Sequence, residues 1–496
     1  MNGLSVSIYG GFMDDQKVLG YNGTLIRQLD EATEIIVDAT PNKFNLEGII
    51  VEWDPYFWMP FNQKFGLNDE DWQLIEKRVQ AMNVHQTRTM VLPNYHEPMN
   101  DDSDPFSNNM DGFDFETDNM KALRRQLDLC ERNGITVTLS YHGIPPNHWL
   151  AYPGMKGWSG ANNNDEYAEN VTALLRHLLI DQKYTCIRNL NLFNEPNICY
   201  GTLDTDFSVN QWTKGEPEKK EYIRMVETVN ARLIKEKLRD KIRLIINDES
   251  ENLEYMKDIA QKLGHVGDIV SSHNYEFTAD SSKKTITEWA EKLVSYTYGV
   301  APLLPHVLYE LGNKNILDPY HVTDADSFER GFYLPCVVLT YLNLGGTGAS
   351  YWILFDQLYG DGEKNQAMNM GLFAFKDENW KIRPTYHAWS LMSRFTEPGA
   401  EIHQTATNDD QIISTTVVNP DNSRSYLIIN KQKKGKRIRI DDSGISEGSF
   451  EKYEYTRDNC MSQSMALPST GTIKLTDGLL EDIVKPESFT VYHCRK

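Results

Sequence analysis

The chain has 496 residues, too many for a single small module, and fits two to four domains of ordinary size or one large barrel with an appendage. Its 71 acidic residues outnumber its 50 basic ones, giving a formal net charge of −21, which argues against duplex nucleic acid or an anionic membrane as the main partner, since both are held by clustered Lys and Arg. An apolar fraction of 40% and a charged fraction of 24% describe an ordinary globular protein and exclude a disordered one.

The opening residues, MNGLSVSIYGGFMDDQK, have no cationic segment followed by an apolar run, so they do not read as a secretory signal. A cytoplasmic enzyme is the expectation, with a secreted mature form as the alternative. Glu34-Ile35-Ile36-Val37 is a β-like run in an N-terminal lead, 1–44, suited to pairing into a later sheet.

From 45 to 397, short β-rich runs alternate with amphipathic helical stretches. Eight strands are expected, at 48–53, 84–92, 135–142, 190–194, 242–247, 269–275, 307–311 and 349–354, most of them dense in Val, Ile, Leu or Thr, as parallel strands buried on both faces require. After the first, Asn68 can cap a helix whose opening turn carries Asp69, Glu70 and Asp71, with an apolar face of Trp72, Ile75, Val79 and Met82. Met120, Leu123, Leu127 and Cys130 mark the next helix, which stops at Asn133-Gly134. Further helices are expected at 165–180, 218–238, 253–263, 285–296, 327–344 and 384–395. The most apolar stretch, 331–355, is broken by Pro335, Asn343 and Gly345-Gly346-Thr347-Gly348, which is wrong for a membrane-spanning helix. Eight strand–helix repeats point to an α/β fold, a (β/α)8 TIM barrel, in preference to an open doubly wound sheet.

Beyond 397 the pattern becomes short strands, at 411–418, 425–429, 436–440 and 488–493, separated by turn pieces such as Asn419-Pro420-Asp421-Asn422. A C-terminal all-β sandwich domain over 398–496 is expected. The six cysteines are far apart with no CxxC spacing, so they read as buried thiols and indicate neither a zinc site nor a dense disulfide framework.

Reactive residues of a parallel barrel sit where its strands end, because the loops there form the mouth. The fourth strand ends Leu192-Phe193-Asn194-Glu195-Pro196, and the seventh ends Leu308-Tyr309-Glu310-Leu311-Gly312, so each brings a carboxylate to the same rim from opposite sides. Two facing carboxyls suit glycosidic cleavage: one stays protonated to donate to the leaving oxygen, and the other is ionised to attack the anomeric carbon. A Glu-Pro pair alone is only a strand stop, and the chain holds four, at 97–98, 195–196, 216–217 and 397–398; only 195–196 ends an apolar strand after Asn. Glu52 and Asp54 at the first strand end, and Asp248 and Glu249 at the fifth, are further rim acids, suited to substrate hydroxyls, to salt bridges or to no role.

The ordered pair resembles the clan A glycoside hydrolases, retaining (β/α)8 enzymes with the acid/base on strand four and the nucleophile on strand seven. Asn194-Glu195-Pro196 is similar to their acid/base motif and Tyr309-Glu310-Leu311-Gly312 to their nucleophile strand. The cellulase-like family 5 matches Arg88 on strand two, His142 on strand three, His273-Asn274-Tyr275 on strand six and Trp352 on strand eight. The β tail is instead like that of families 30, 39 and 51, and Ser272-His273-Asn274-Tyr275 suits family 39 as well.

The resemblance implies a retaining β-glycosidase acting on a neutral β-linked glucoside, xyloside or related oligosaccharide. Glu195 would be the acid/base and Glu310 the nucleophile. Arg88 and Tyr275 would hold Glu310 ionised, Asn194 would bind the sugar 2-hydroxyl, His142 and His273 would bind other hydroxyls or adjust the carboxyls, and Trp352 would stack under the sugar. Neither cofactor nor metal is expected, because the two carboxyls supply acid, base and nucleophile. A non-catalytic carbohydrate-binding barrel and a transglycosidase using the same pair are the alternatives. Long loops at 94–115, 143–164 and 197–215 would set the sugar, the linkage and internal or terminal cleavage, and the oligomeric state stays open.

Overall fold

The computed structural model describes residues 17–19, 25–27, 32–107, 109–155, 157–201, 216–313, 320, 322–360 and 367–495. All but Lys17 of the segment read for a secretory signal, and most of the 197–215 loop, lie outside them. Strands β1 (Lys17–Leu19) and β2 (Leu25–Arg27) pair antiparallel as a separate two-stranded sheet. Strand β3 (Thr33–Pro41) belongs to the C-terminal sheet described below.

Eight strands follow: β4 (Gly48–Glu52), β5 (Gln86–Val91), β6 (Thr136–Tyr141), β7 (Ile187–Asn191), β8 (Arg243–Ser250), β9 (Ile269–Asn274), β10 (His306–Leu311) and β11 (Gly348–Tyr351). They pair in parallel in strict chain order, and β11 returns to β4 to close a (β/α)8 barrel. The interior of its lower half is filled by Ile50, Ile245, Ile269, Val307 and Tyr309. Beside them Gln86 and Asn189 both donate to Thr138 Oγ1, at 3.1 and 3.0 Å, which pairs the amide N–H groups of both side chains.

The outer helices obey local rules. Helix Asp69–Ala81 opens on a reciprocal capping box, in which Asn68 accepts from Asp71 N and Asp71 accepts from Asn68 N. Helix Asp118–Asn133 ends on Gly134 at φ 67°, the left-handed position where a side chain would be strained. Helix Phe328–Asn343 is buried almost throughout, Pro335 included, because it lies between the barrel and the second sheet. Among the described residues, no helix is long and apolar enough to cross a membrane.

The second sheet comprises β3 with β12 (Glu401–Thr407), β13 (Ile412–Val418), β14 (Arg424–Asn430), β15 (Lys436–Asp441), β16 (Glu447–Tyr455), β17 (Gly471–Thr476), β18 (Leu479–Val484) and β19 (Ser488–Cys494). Its order is β12-β13-β14-β19-β16-β17-β18-β15-β3, and β3 closes the ring, antiparallel to β12 and parallel to β15. The period of two is legible in burial. Ile412, Tyr426 and Ile428 point into the core of this sheet with Ile35 and Val37, while Ile413, Leu427 and Ile429 join the barrel's core. None of the six cysteines is in a disulfide, and four of them are buried.

Candidate active site

Strand β7 delivers Glu195 through Leu192, Phe193 and Asn194, whose N–H donates to Tyr141 O of β6 at 2.8 Å. Glu195 itself adopts a left-handed conformation, φ 47° and ψ 56°, ahead of the single helical turn Pro196–Cys199, and its N–H donates to Asp248 O at 3.1 Å. A non-glycine residue held there is strained, and two neighbouring strand ends clamp it. Its side chain is 20% exposed, open to the barrel mouth.

Glu310 arrives by a different device. Val307 and Tyr309 face the barrel interior, so strict alternation would turn Glu310 outward. The register of β10 slips against β9 between Leu308 and Glu310, and this irregularity brings the Glu310 carboxyl into the mouth as well. A similar slip in β8, between Asn247 and Glu249, accompanies positive φ at Asn247 and Asp248 and turns Asp248 inward.

Arg88, fully buried on β5, ties these strand ends together. Its Nη1 donates to Glu310 Oε1 at 2.7 Å and to Glu52 Oε2 at 3.0 Å; its Nη2 donates to Asn194 Oδ1 at 2.7 Å and to Asp248 Oδ2 at 2.8 Å. Tyr275 OH donates to Glu310 Oε2 at 2.8 Å. His273 stands between carboxylates: Nδ1 is 3.0 Å from Glu195 Oε1 and 3.5 Å from Glu310 Oε2, and Nε2 is in ionic contact with Asp248 Oδ1 at 3.1 Å. With carboxylate oxygens on both edges, the ring is suited to carry both protons.

The charges follow from these contacts. Burial opposes ionisation of Arg88 and of His273, but the surrounding carboxylates raise both well above their ordinary values. Asp248 is held well below the usual carboxylate range, because Arg88 and His273 outweigh its burial. Burial raises Glu52 well above that range, despite Arg88. Burial likewise raises Glu310, against the pull of His273 and Arg88, whereas the hydrogen bond and charge of His273 lower Glu195 in spite of burial. With Glu52 protonated, two cations, Arg88 and His273, face three carboxylates, Asp248, Glu195 and Glu310. One further proton neutralises the cluster. These opposite shifts favour that proton on Glu310 in the unliganded protein, while Glu195 is the member open to the mouth.

Six of the eight residues singled out from the sequence, Arg88, Asn194, Glu195, His273, Tyr275 and Glu310, share this network. His142 and Trp352 stand apart from it on the wall. The His142 ring packs on Trp158, centroids 4.1 Å apart, its Nδ1 has no partner, and burial lowers it to about 4, so it is neutral. Trp352 stacks on Tyr359 at 5.7 Å, and that phenol donates to Asp54 Oδ2, whose carboxyl burial raises to about 6. Sequence reasoning left Glu52 and Asp248 as rim acids of open role; both touch Arg88, and nothing short of the register slips distinguishes Asp248 from Glu249 beside it. Glu249 is fully buried, raised to about 7 by that burial, and accepts from Asn252 N.

One carboxyl oxygen each from Glu195 and Glu310 and one nitrogen of His273 all lie within 4.8 Å of one another, and among the described residues these have atoms spaced to hold a metal ion. Arg88 and Tyr275 already occupy both oxygens of Glu310.

No family model and no curated protein matches the sequence. Solved structures do. A family 30 endoxylanase from Clostridium papyrosolvens superposes with a TM-score of 0.66 at 12% identity, over 93% of this chain and 100% of that one. An endo-β-1,6-glucanase gives 0.64 at 13% identity, over 96% of each chain. A family 39 enzyme from Xanthomonas axonopodis pv. citri gives 0.58 at 12% identity, over 95% and 99%. The chain has the fold of these clan A glycoside hydrolases over nearly its whole length.

Proposed function

We propose that the protein is a retaining glycoside hydrolase that cleaves a neutral β-linked glucoside, xyloside or related oligosaccharide by double displacement. The observation that carries this is the approach of Glu195 and Glu310 to within 4.8 Å around His273. Covalent catalysis needs carboxyls about 5–5.5 Å apart, whereas inversion needs roughly 6.5–9.5 Å to admit a water. Glu310, gripped by Arg88 and Tyr275, is the nucleophile: both donors favour its ionised form and aim one face at the mouth. Glu195, nearest solvent, is the acid/base: the cluster's proton, favoured on Glu310 in the unliganded protein, passes to Glu195 before catalysis, is donated to the departing oxygen, and Glu195 then takes one from the water that releases the sugar. Asn194 offers its amide N–H2 to the 2-hydroxyl while Arg88 holds its oxygen. The endoxylanase and β-glucanase among the fold neighbours support a neutral β-glycan as substrate, as does the −21 charge, which repels polyanionic glycans.

The test is proton NMR of the first product formed from an aryl β-glycoside or a defined β-linked oligosaccharide. Release of the β-anomer before mutarotation is expected. Release of the α-anomer sinks double displacement, and no turnover across a panel of neutral β-glycosides favours a binding protein. Products longer than the substrate at high acceptor concentration identify a transglycosidase.

A further inference from the structure

Tyr275 reaches Glu310 by lying against the backbone that follows it. A Cβ placed on Gly312, the residue just past the end of β10, would stand 2.6 Å from Tyr275 Cδ1 and nearer still to Cε1, whereas carbon atoms in ordinary contact keep about 3.5–4.0 Å. The φ of Gly312 is not in the left-handed region, so backbone freedom does not call for the glycine. The ring above it does.

Neither side yields freely. Gly312 N–H donates to Asn274 O of β9 at 3.1 Å, and Gly312 O accepts from the buried Tyr333 OH on helix Phe328–Asn343, so the strand end is held by two elements. Tyr275 N–H donates to Glu251 Oε1 at 3.0 Å, and the Tyr275 ring packs, together with Trp352, on the small buried cluster of Val322, Ala325 and Met370. That packing opposes a turn of the ring in place. A methyl at 312 would therefore have to drive the ring edge back by about 1 Å to reach ordinary contact. Tyr275 OH sits 2.8 Å from Glu310 Oε2, and a hydrogen bond lengthened by that much is lost.

We propose that Gly312 is a positioning residue, whose missing side chain is the seat that holds the Tyr275 phenol against Glu310. The inference rests on the reading of Glu310 as the nucleophile. Arg88 holds Oε1 and Tyr275 holds Oε2, so the carboxylate keeps one orientation towards the anomeric carbon. Without the phenol, Arg88 alone orients it and the carboxyl is free to turn.

The test compares full-length Gly312→Ala, Tyr275→Phe and their combination on an aryl β-glycoside, together with crystal structures of the wild type and of Gly312→Ala. Tyr275→Phe removes only the hydroxyl and should lower kcat about 10–100-fold, as expected for one hydrogen bond to a charged group. Gly312→Ala should lose a similar factor in kcat with KM changed by less than about threefold. The combination should lose no more than the larger single loss, because both changes remove one interaction. In the Gly312→Ala crystal the phenol oxygen should stand beyond about 3.5 Å from Glu310 Oε2. Gly299→Ala, at a helical glycine with open space around it, controls for an added methyl. Should Gly312→Ala fail to fold, the Tyr275→Ala chain, with the ring's space vacated, should accept it with no further fall in Tm. Unchanged kcat in Gly312→Ala, losses that multiply in the combination, or a phenol still in hydrogen-bond range each overturn the inference. So does an equal fall in Tm with and without the Tyr275 ring. A wild type inactive on every neutral β-glycoside defeats the nucleophile reading instead, and the crystallographic distance then still decides whether Gly312 seats the ring.

Discussion

On the proposed mechanism the Glu310 carboxyl is the nucleophile, so Glu310→Ala should lower kcat for an aryl β-glycoside by roughly 10^4-fold or more while the fold persists. Glu195→Ala should be leaving-group dependent: close to wild type on the glycosylation step for an activated phenol and severely impaired for an alkyl glycoside or an oligosaccharide. Equal losses on both would remove Glu195 from the acid role. His273 gives a sharper test, since it lowers the pKa of both carboxyls it faces. His273→Asn takes that positive charge away, so Glu310 needs a higher pH to ionise and Glu195 keeps its proton to a higher pH. Both limbs of the kcat/KM profile should move upward together; a fall in rate with unmoved limbs would make His273 only a packing residue. At this scale the sequence displayed the pairable side chains but not their partners. Arg88 was readable at a strand end, whereas its simultaneous grip on Glu52, Asn194, Asp248 and Glu310 depends on residues from four other strand ends meeting at one guanidinium.

Between elements, the buried acids of the β5 loop and the helix Asn164–Arg176 make stability depend on pH. Burial makes Glu97 hold a proton up to about 8 when folded, against an ordinary 4.5 for a free glutamate. Across that window folded Glu97 keeps a proton that the unfolded chain has released, and Glu169, raised to about 9, does the same, so stability falls as pH rises until both are ionised. The groups facing it are Asp101, Glu166 and Glu169, with Asn170 and the His148 imidazole, which is hydrogen-bonded to Glu97 O. Glu97→Gln does not titrate, so its stability relative to wild type, from denaturant melts in EDTA, should improve steadily between about pH 5 and 8. A constant difference would show that Glu97 is ionised throughout. The barrel strands were legible because residues such as Ile245, Ile246, Val270 and Ile269 are buried on both faces and leave dense apolar runs. Strands β12, β16, β17 and β18 were not: in Glu401–Thr407 and Gly471–Thr476 few apolar side chains interrupt polar, exposed ones, and their strand state comes from pairing with distant neighbours.

At the level of the molecule, the barrel and the nine-stranded sheet are joined by the buried helix Phe328–Asn343 and by one core that runs through both, from Tyr333 and Val337 to Leu427 and Val491. Strand β3 completes the second sheet from the other end of the chain. Truncation to residue 42 should therefore strip the partners from β12 and β15 and uncover Ile428, Ile438 and Ile440, giving a protein that aggregates or melts many degrees lower. Supplying residues 32–42 as a peptide should recover part of that loss, and a truncated chain as stable as the full one would deny β3 its closing role. The same connection sets a timetable for synthesis. Thr33 donates to Asp409 across 376 positions, so a strand made first has to wait for partners made last. At about 5–20 residues per second, that delay is roughly 20–75 s on the ribosome, during which an unpaired segment carrying Ile35, Ile36 and Val37 trails outside the exit tunnel beside a barrel already able to close. Chaperone supply or a lower growth temperature, which protect or shorten the exposure of that segment, should therefore raise the yield of folded protein, and an unchanged yield would show that the unpaired strand is harmless.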